Sequence, residues 1–292
     1  MPTPSVEISV LTLVRNRQTQ LDNFLRALRW QTGALFEVVI ASMQPEVPAI
    51  EDGLPFPVRV VSVPGTILPL AAARNRAAYA AQGELLIFLD IDCIAAPGLV
   101  ANYARALRAY DACLMGEVRY LPAEASVPTL DYLALSELAI QHPARPAPPA
   151  DGLCSEDNPR MLWGLSFALR RNRFFAAGGL DAGYTGYGGE ETDFALRLAA
   201  INSRFAWLAD AQALHQWHSI SRPPLNHFRE IIANAQRFRA IWGSWCLEYW
   251  LDAFVQMGLI EWSNGADRIS LLREPTAREV ERALDEGSGR SF

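Results

Sequence analysis

Cysteine is scarce in this chain, and no two cysteines have the short spacing of a zinc site or a redox pair. The cysteines lie far apart and mostly beside apolar residues, which favours buried free thiols over disulfides. Free thiols are typical of a reducing compartment. The cysteines are Cys93, Cys113, Cys154 and Cys246.

Long apolar runs, a targeting segment and an excess of basic charge are also lacking. No apolar run approaches the ~18 residues of a membrane-spanning helix. The first residues, MPTPSVEIS, contain neither the basic nor the apolar region of a secretory signal. The 26 basic residues are outnumbered by 32 acidic ones, and the net charge of −6 argues against non-specific binding to nucleic acid. These absences predict a soluble cytoplasmic protein with no nucleic-acid partner.

Apolar and amphipathic segments alternate along the first part of the chain, which is long and apolar enough to bury a substantial core. The apolar segments are rich in β-branched side chains and predict strands, whereas the amphipathic ones have helical spacing. This order predicts an α/β fold, with a doubly wound, mostly parallel sheet and helices on both faces. Ligands of such sheets bind beyond the carboxyl ends of the strands. The predicted strands are 8–14, 36–41, 58–63 and 85–89, and the predicted helices are 21–28, 70–81 and 97–110.

The second half of the chain continues the pattern less regularly. The proline-rich segment 143–149 is predicted to be a surface loop, because proline fits neither a helix nor a central strand. The Trp-rich segment 225–262 predicts a helical C-terminal extension. Its aromatic residues are typical of a packed core, while a peripheral membrane contact or a homodimer stays open. Strands are predicted at 112–118, 161–169, 204–208 and 211–214, and a short helix at 171–177.

Two aspartates, Asp90 and Asp92, follow the predicted buried strand in the segment GELLIFLDIDC, residues 83–93. In an extended chain, residues i and i+2 point the same way, so both carboxylates would face one side of the sheet edge. Like charges so close repel each other, and a bound cation would relieve the repulsion. A polar loop that merely ends the strand would give the same pattern.

Three acids open a predicted helix after a glycine-rich stretch, GYTGYGGEETDF at 183–194. They are Glu190, Glu191 and Asp193. Acidic side chains at a helix N-terminus are stabilised by the helix dipole, so helix capping alone would explain them. Capping does not explain why four glycines and two aromatic residues precede the acids.

Two histidines and two Arg-Asn dipeptides complete the candidate site. His215 and His218 follow a predicted strand, and each could ligate a metal or hydrogen-bond the backbone. Arg15 and Asn16 follow the first strand, and a second Arg-Asn dipeptide begins at Arg74. Arginine suits a phosphate or a planar base, although a surface arginine needs no functional explanation.

The order of these motifs resembles the family 2 glycosyltransferases of the GT-A fold over about residues 6–220. The segment WGLSFALRRNRFFAAGGLDAGYTGYGGEETD, residues 163–193, is similar to one shared by the β-galactosyltransferase and polypeptide N-acetylgalactosaminyltransferase type. The resemblance implies metal-dependent transfer of a sugar from a nucleotide donor, expected to be UDP-linked, to a hydroxyl acceptor. The expected organisation is a nucleotide-sugar half at 1–120, an acceptor half at 121–220, the helical extension at 221–284 packed on them, and a mobile tail at 285–292.

The resemblance also implies a metal site. Asp92 and His218 would ligate Mn²⁺ or Mg²⁺, with His215 as a second histidine candidate. Asp90 would contact the donor ribose or the water shell of the metal. Mixed oxygen and nitrogen ligands favour Mn²⁺ over Mg²⁺.

The remaining roles implied by the resemblance concern catalysis and donor binding. Glu191 would be the catalytic base, which implies direct displacement with inversion, because a base on the acceptor side activates the incoming hydroxyl. Glu190 and Asp193 would hold acceptor hydroxyls or fix the loop. For donor binding, the resemblance implies Arg15 and Asn16 along the base, Arg74 at the nucleotide, and Trp163 and Gly164 at the sugar pocket. Arg222 follows His218 by a few residues and would add positive charge at the donor phosphates if its loop folds over the donor.

One departure and two alternatives qualify this interpretation. Many relatives place an acid after the second strand to bind uracil, whereas this chain has Ala41, Ser42 and Met43 there, which leaves the base open. A nucleotidyltransferase would need a glycine-rich phosphate loop after its first strand, and LVRNRQTQ contains no glycine. A degenerate transferase that binds a nucleotide or a glycan without turnover stays open, since fold does not fix function.

Overall fold

The computed structural model describes residues 7–31, 36–63, 65, 67–125, 127 and 131–284. Its centre is a sheet with strand order β3-β2-β1-β4-β9-β6-β10-β5, in which β7 pairs with β6 and β8 with β10. The predicted mobile tail at 285–292 lies outside the described residues. The strands are β1 Ile8–Val14, β2 Phe36–Ser42, β3 Val58–Ser62, β4 Leu85–Leu89, β5 Cys93–Ala95, β6 Ala112–Tyr120, β7 Ile140–Gln141, β8 Leu153–Glu156, β9 Ser166–Arg170 and β10 Arg204–His215.

Six long strands of this sheet run in the same direction. Strands β3, β2, β1 and β4 are parallel neighbours, and β6 is parallel to β10. Strand β9 is inserted antiparallel between β4 and β6, so β6 and β10 keep the direction of the first four. The prediction of a mostly parallel sheet is therefore confirmed.

Helices cover both faces of the sheet, as predicted. One apolar core joins β1 and β4 to α1 and α3, and the other joins the opposite side of the same strands to α2, α5 and α6. Successive side chains of each strand point to opposite faces of the sheet, so each strand contributes side chains to both cores. The helices are α1 Gln18–Leu28, α2 Leu70–Ala80, α3 Leu99–Ala109, α4 Tyr132–Leu138, α5 Arg171–Ala176, α6 Glu190–Ala200, α7 Phe228–Trp242, α8 Glu248–Gln256 and α9 Ala277–Ala283.

Three local predictions need correction. The strand predicted at 161–169 begins only at Ser166, because the chain before it forms a 3₁₀ turn at Pro159–Met161. The strands predicted at 204–208 and 211–214 are one strand, β10, whose register shifts where Asp210 has a φ of 62°. Cys154 is exposed, whereas the other three cysteines are buried free thiols.

The C-terminal extension is less continuously helical than predicted. Gly243, at a φ of 66°, ends α7, and α8 is followed by a two-stranded hairpin of Ile260–Glu261 and Ser270–Leu271. The extension has its own apolar core around Trp245. None of the helices in the described ranges has the length and apolar character needed to cross a membrane. Segment 143–149 contains neither helix nor strand, which confirms the predicted loop.

Candidate functional site

A tight turn at the carboxyl end of β4 places the two aspartates. The backbone N–H of Cys93 donates to the carbonyl of Asp90 at 2.9 Å, and Asp90 Oδ1 accepts the N–H of Ile91 at 2.9 Å. The extended arrangement expected for Asp90 and Asp92 is therefore wrong. The turn gives the two carboxylates different neighbours, described below.

Asp92 lies beside both candidate histidines. Potential ligand atoms of Asp92, His215 and His218 all lie within 4.8 Å of one another, and His218 Nε2 is 3.6 Å from Asp92 Oδ2. Strand pairing produces this approach, because His215 ends β10 opposite Cys93 and the N–H of Gln216 donates to the Asp92 carbonyl at 2.7 Å. The sequence separates these residues widely, and the antiparallel pairing of β10 with β5 joins them.

Two buried ligand atoms of this cluster have no hydrogen-bond partner among the described residues: Asp92 Oδ1 and His215 Nδ1. Buried polar groups are normally paired, since an unpaired one costs about 1–3 kcal/mol. Burial lowers the pKa of His215 to about 3, so its imidazole is neutral and able to ligate at neutral pH. One carboxylate and two imidazoles with unpaired atoms fit a divalent cation such as Mn²⁺.

Asp90 belongs to a second group of charges, centred on Arg74. Arg74 Nη1 is 3.1 Å from Glu190 Oε1, and Nη2 is 2.8 Å from Glu191 Oε1. Burial, followed by repulsion from Asp92, raises the pKa of Asp90, while Arg74 opposes the rise. Burial and the neighbouring Glu191 raise the pKa of Glu190 to about 7. One buried guanidinium thus pairs with both glutamates at the start of α6 and acts electrostatically on Asp90, which follows β4.

The backbone of Gly164 lies close to the side chains of Glu191 and Arg74. A Cβ at this position would lie 2.0 Å from Glu191 Oε1 and 2.4 Å from Arg74 Nη2, so a side chain here would force one of these two groups to move. Gly164, Arg74 and Asp90 also line a small cavity with apolar residues of β1 and β4. The cavity therefore lies between Asp90 of the acidic turn and Arg74, the partner of the two glutamates of α6.

Comparison with protein families agrees with this arrangement. A family model described as glycosyl transferase family 2 matches residues 9–145, and one described as the N-terminal domain of galactosyltransferase matches residues 156–228. The two matches together contain all the candidate site residues. The chain is therefore similar to the family 2 glycosyltransferases over residues 9–145 and to a galactosyltransferase domain over residues 156–228, and it has the GT-A fold.

Two solved structures share the fold of this chain. GalNAc-T7, crystallised with UDP, GalNAc and Mn²⁺, is 16% identical at a TM-score of 0.55, over 87% of this chain and 57% of that chain. The S. aureus TarS 1-349 complex with UDP-GlcNAc is 14% identical at a TM-score of 0.53, over 79% of this chain and 66% of that one. The chain therefore spans less than two thirds of each. No curated protein sequence matches it.

The remaining predicted donor residues lie in different surroundings. Asn16 adopts a φ of 55°, and its N–H donates to Gln44 Oε1 at 2.6 Å, while Arg15 is half-buried. One face of the Trp163 indole is covered, because the Arg145 guanidinium carbon lies 3.6 Å from the ring centroid. The N–H of Arg222 donates to the carbonyl of Ala283 at 2.6 Å.

Asp193 pairs with Trp242 and Arg197, whereas the other two acids of this helix start pair with Arg74. Its Oδ1 accepts the indole N–H of Trp242 at 2.9 Å, and its Oδ2 is 2.6 Å from Arg197 Nη2. Of the two roles expected for this residue, these contacts favour fixing the loop. Asn234 of α7 assists, since its Nδ2 donates to the carbonyls of Thr185 and Tyr187.

Sequence reasoning missed two basic residues at this site. Arg17 Nη1 donates to Asp92 Oδ2, and Arg145 stacks on Trp163 while its Nη1 donates to the Met161 carbonyl. Arg17 follows the Arg-Asn dipeptide by one residue, but nothing in the local pattern connects it to an acid 75 residues away. Arg145 lies in the proline-rich loop. The composition of that loop predicted that it is at the surface, but it did not predict the contact between Arg145 and Trp163.

Proposed function

We propose that this glycosyltransferase moves a sugar from a UDP-linked donor to a hydroxyl group of an acceptor, with a divalent cation, and inverts the anomeric configuration. The proposal is carried by the cluster of Asp92, His215 and His218, with its two unpaired ligand atoms, at the carboxyl end of β4. The UDP, UDP-GlcNAc and Mn²⁺ in the complexes of GalNAc-T7 and TarS support the choice of donor and cation.

The cation would be held by Asp92, His218 and His215, with Asp90 nearby at the ribose. When bound, it supplies Lewis acidity that stabilises negative charge on the departing diphosphate. Nitrogen ligands favour Mn²⁺ over Mg²⁺. Arg222 would add positive charge to the same phosphates, and Arg15 and Asn16 would lie along the base.

Glu191 is the proposed catalytic base. Its side chain is 27% exposed, whereas that of Glu190 is 5% exposed, so an acceptor hydroxyl can reach Glu191. A carboxylate within hydrogen-bond reach removes the hydroxyl proton as the new bond forms. Arg74 holds the Glu191 carboxylate in place, and Glu190 holds Arg74 from the buried side. A base on the acceptor side implies a single displacement and therefore inversion.

Trp163 and Gly164 would form the wall of the sugar pocket. Gly164 leaves room for Glu191 and Arg74 to meet, and the indole of Trp163 offers a flat apolar face on the acceptor side. Arg145 occupies one face of that indole, so a sugar stacking there would use the other face or displace the guanidinium.

A panel of nucleotide sugars tests this function. With Mn²⁺ present, we expect a UDP-sugar to raise the melting temperature, because a ligand of the native state stabilises it. We also expect slow Mn²⁺-dependent hydrolysis of the same donor, absent in Asp92→Asn. If a nucleotide sugar binds but is neither hydrolysed nor transferred, the protein is a binding module and not an enzyme. If no nucleotide sugar binds, both the enzyme and the binding-module interpretations are wrong.

A further inference from the structure

The proline-rich loop at 143–149 borders an open cavity. Arg145 of this loop lines the cavity together with Trp207, Gln141 and Glu117. The cavity has about 420 Å³ of empty space, its open mouth included. The proposed contacts of the donor, the metal and the catalytic base do not involve this cavity. It is therefore a candidate binding site with a function of its own.

Two indole rings position the guanidinium of Arg145. Its central carbon lies 3.6 Å from the ring centroid of Trp163 and 5.0 Å from that of Trp207. Among the described residues, its one hydrogen bond runs from Nη1 to the Met161 carbonyl, so Nε and Nη2 donate to no protein group there. A guanidinium that stacks on an aromatic ring presents its N–H groups at its edge, where they match the oxygens of a carboxylate or a phosphate.

The carboxylates nearest to Arg145 have other partners. Burial lowers the pKa of Arg145 to about 10, against attraction by Glu191 and Glu156, so the side chain is charged at neutral pH. Glu191 Oε1 is 2.8 Å from Arg74 Nη2, and both oxygens of Glu156 accept N–H groups. No ion pair joins Arg145 to a carboxylate of the described residues. Charges withdrawn from water are normally paired, so this guanidinium lacks the anion that such a position calls for.

A second guanidinium adds to the positive charge of this region. The imidazole of His142 meets the Trp163 ring edge-on, with the ring centroids 4.9 Å apart. Burial, followed by repulsion from Arg145 and Arg222, lowers the pKa of His142. Two guanidiniums therefore act on one neutral imidazole. The acidic residue of the cavity wall, Glu117, accepts a hydrogen bond from a glutamine of β10 and does not pair with Arg145.

We propose that the cavity at Arg145 binds an anionic group, a carboxylate or a phosphate, of the acceptor that carries the reacting hydroxyl. The inference rests on the proposed function, which supplies the acceptor and places its hydroxyl at Glu191. Trp163 connects the two places, because its ring contacts Arg145 and the next residue, Gly164, lies against Glu191. The donor diphosphate belongs at the metal cluster, so the anion at Arg145 is assigned to the acceptor. An acceptor with this negative charge therefore binds more tightly than its neutral counterpart.

Two matched pairs of small acceptors, titrated by saturation-transfer NMR, test this selectivity for charge. The pairs are methyl glucuronoside with methyl glucoside, and glycerol phosphate with glycerol. The protein is loaded with UDP and Mg²⁺, which does not broaden the signals as Mn²⁺ does. We expect the charged member of at least one pair to bind about tenfold more tightly than the neutral one, the effect of one charge-assisted hydrogen bond. The pair that shows the preference identifies the anion as a carboxylate or a phosphate.

Variants of Arg145 separate anion binding from a role in holding the loop. Arg145→Gln should bind both members of a pair alike, whereas Arg145→Lys keeps the charge without the planar fork and should keep part of the preference. A residue that only holds the loop would weaken both members by the same factor, so their ratio would not change. Arg171→Gln is the matched control, because Arg171 lies 5.1 Å from the ring centroid of Phe175 and does not line the cavity. It should keep the full preference.

The outcomes separate this inference from the proposed function. If UDP does not bind, the proposed donor is wrong, and the same titrations on the unloaded protein still test the cavity. If UDP binds but the intact protein prefers the charged member of neither pair, or if Arg145→Gln keeps the preference, the anion site is refuted. If Arg145→Gln loses affinity for UDP, the guanidinium binds the donor and its assignment to the acceptor is wrong.

Discussion

Gly164 and Glu191 approach each other so closely that a methyl group on Gly164 would lie 2.0 Å from Glu191 Oε1. The two residues come from the loop before β9 and the first turn of α6. Their approach seats the proposed base against Arg74 and beside the cavity that leads to Asp90.

Gly164→Ala should therefore lower transfer far more than it lowers stability. The added methyl group must push Glu191 or Arg74 aside, and a small displacement of a catalytic group costs about 100-fold in rate. Overpacking costs about 1–3 kcal/mol of stability. Initial rates with a UDP-sugar and urea unfolding measure the two effects. Gly265→Ala is the control, since nothing lies within 4 Å of a Cβ there. Normal transfer by Gly164→Ala would contradict the close seating of Glu191.

Glu191→Gln should lower the rate of transfer by about 100- to 10,000-fold, the usual contribution of a general base. UDP and Mn²⁺ should still bind, because the amide keeps the shape of the carboxylate and Asp92 is untouched. Glu190→Gln is the matched comparison and should lose less, as Glu190 is buried behind Arg74. Equal losses in both variants, or near-normal transfer by Glu191→Gln, would rule out the assignment of the base.

The fold was largely predictable, whereas the contacts of the site were predictable only in part. Apolar runs such as Leu85–Leu89 predict buried strands, because they are local signals that long-range packing does not reverse. The insertion of β9 between β4 and β6 is a non-local pairing that no segment encodes by itself. The same holds for Arg17: its charge was visible in the sequence, but its partner Asp92 is set by the turn after β4 and by the end of β1.

The contribution of Glu190 to the stability of the protein should fall with rising pH. Its pKa is raised from 4.5 to about 7 in the folded state. Between these values the unfolded chain loses the proton while the folded one keeps it, which favours unfolding as the pH rises. The contribution is at most about 3 kcal/mol. Urea unfolding of the intact protein and of Glu190→Gln at pH 4.5 and pH 8 isolates it, since other groups cancel in the difference. A difference that is independent of pH would contradict the raised pKa.

Trp242→Phe should destabilise the link between the C-terminal extension and α6. The indole N–H of Trp242 donates to Asp193, which is 1% exposed, and its loss leaves a buried carboxylate oxygen without that donor. We expect a loss of about 1–3 kcal/mol in the free energy of unfolding. Trp262→Phe is the matched control, because the buried Trp262 Nε1 has no hydrogen-bond partner among the described residues, so its removal should cost little. Asp193 would then be a positioning residue: Trp242→Phe should reduce transfer through the displaced start of α6, while Trp262→Phe keeps it. Equal destabilisation by both variants would mean that aromatic packing holds the extension in place and that the bond to Asp193 does not.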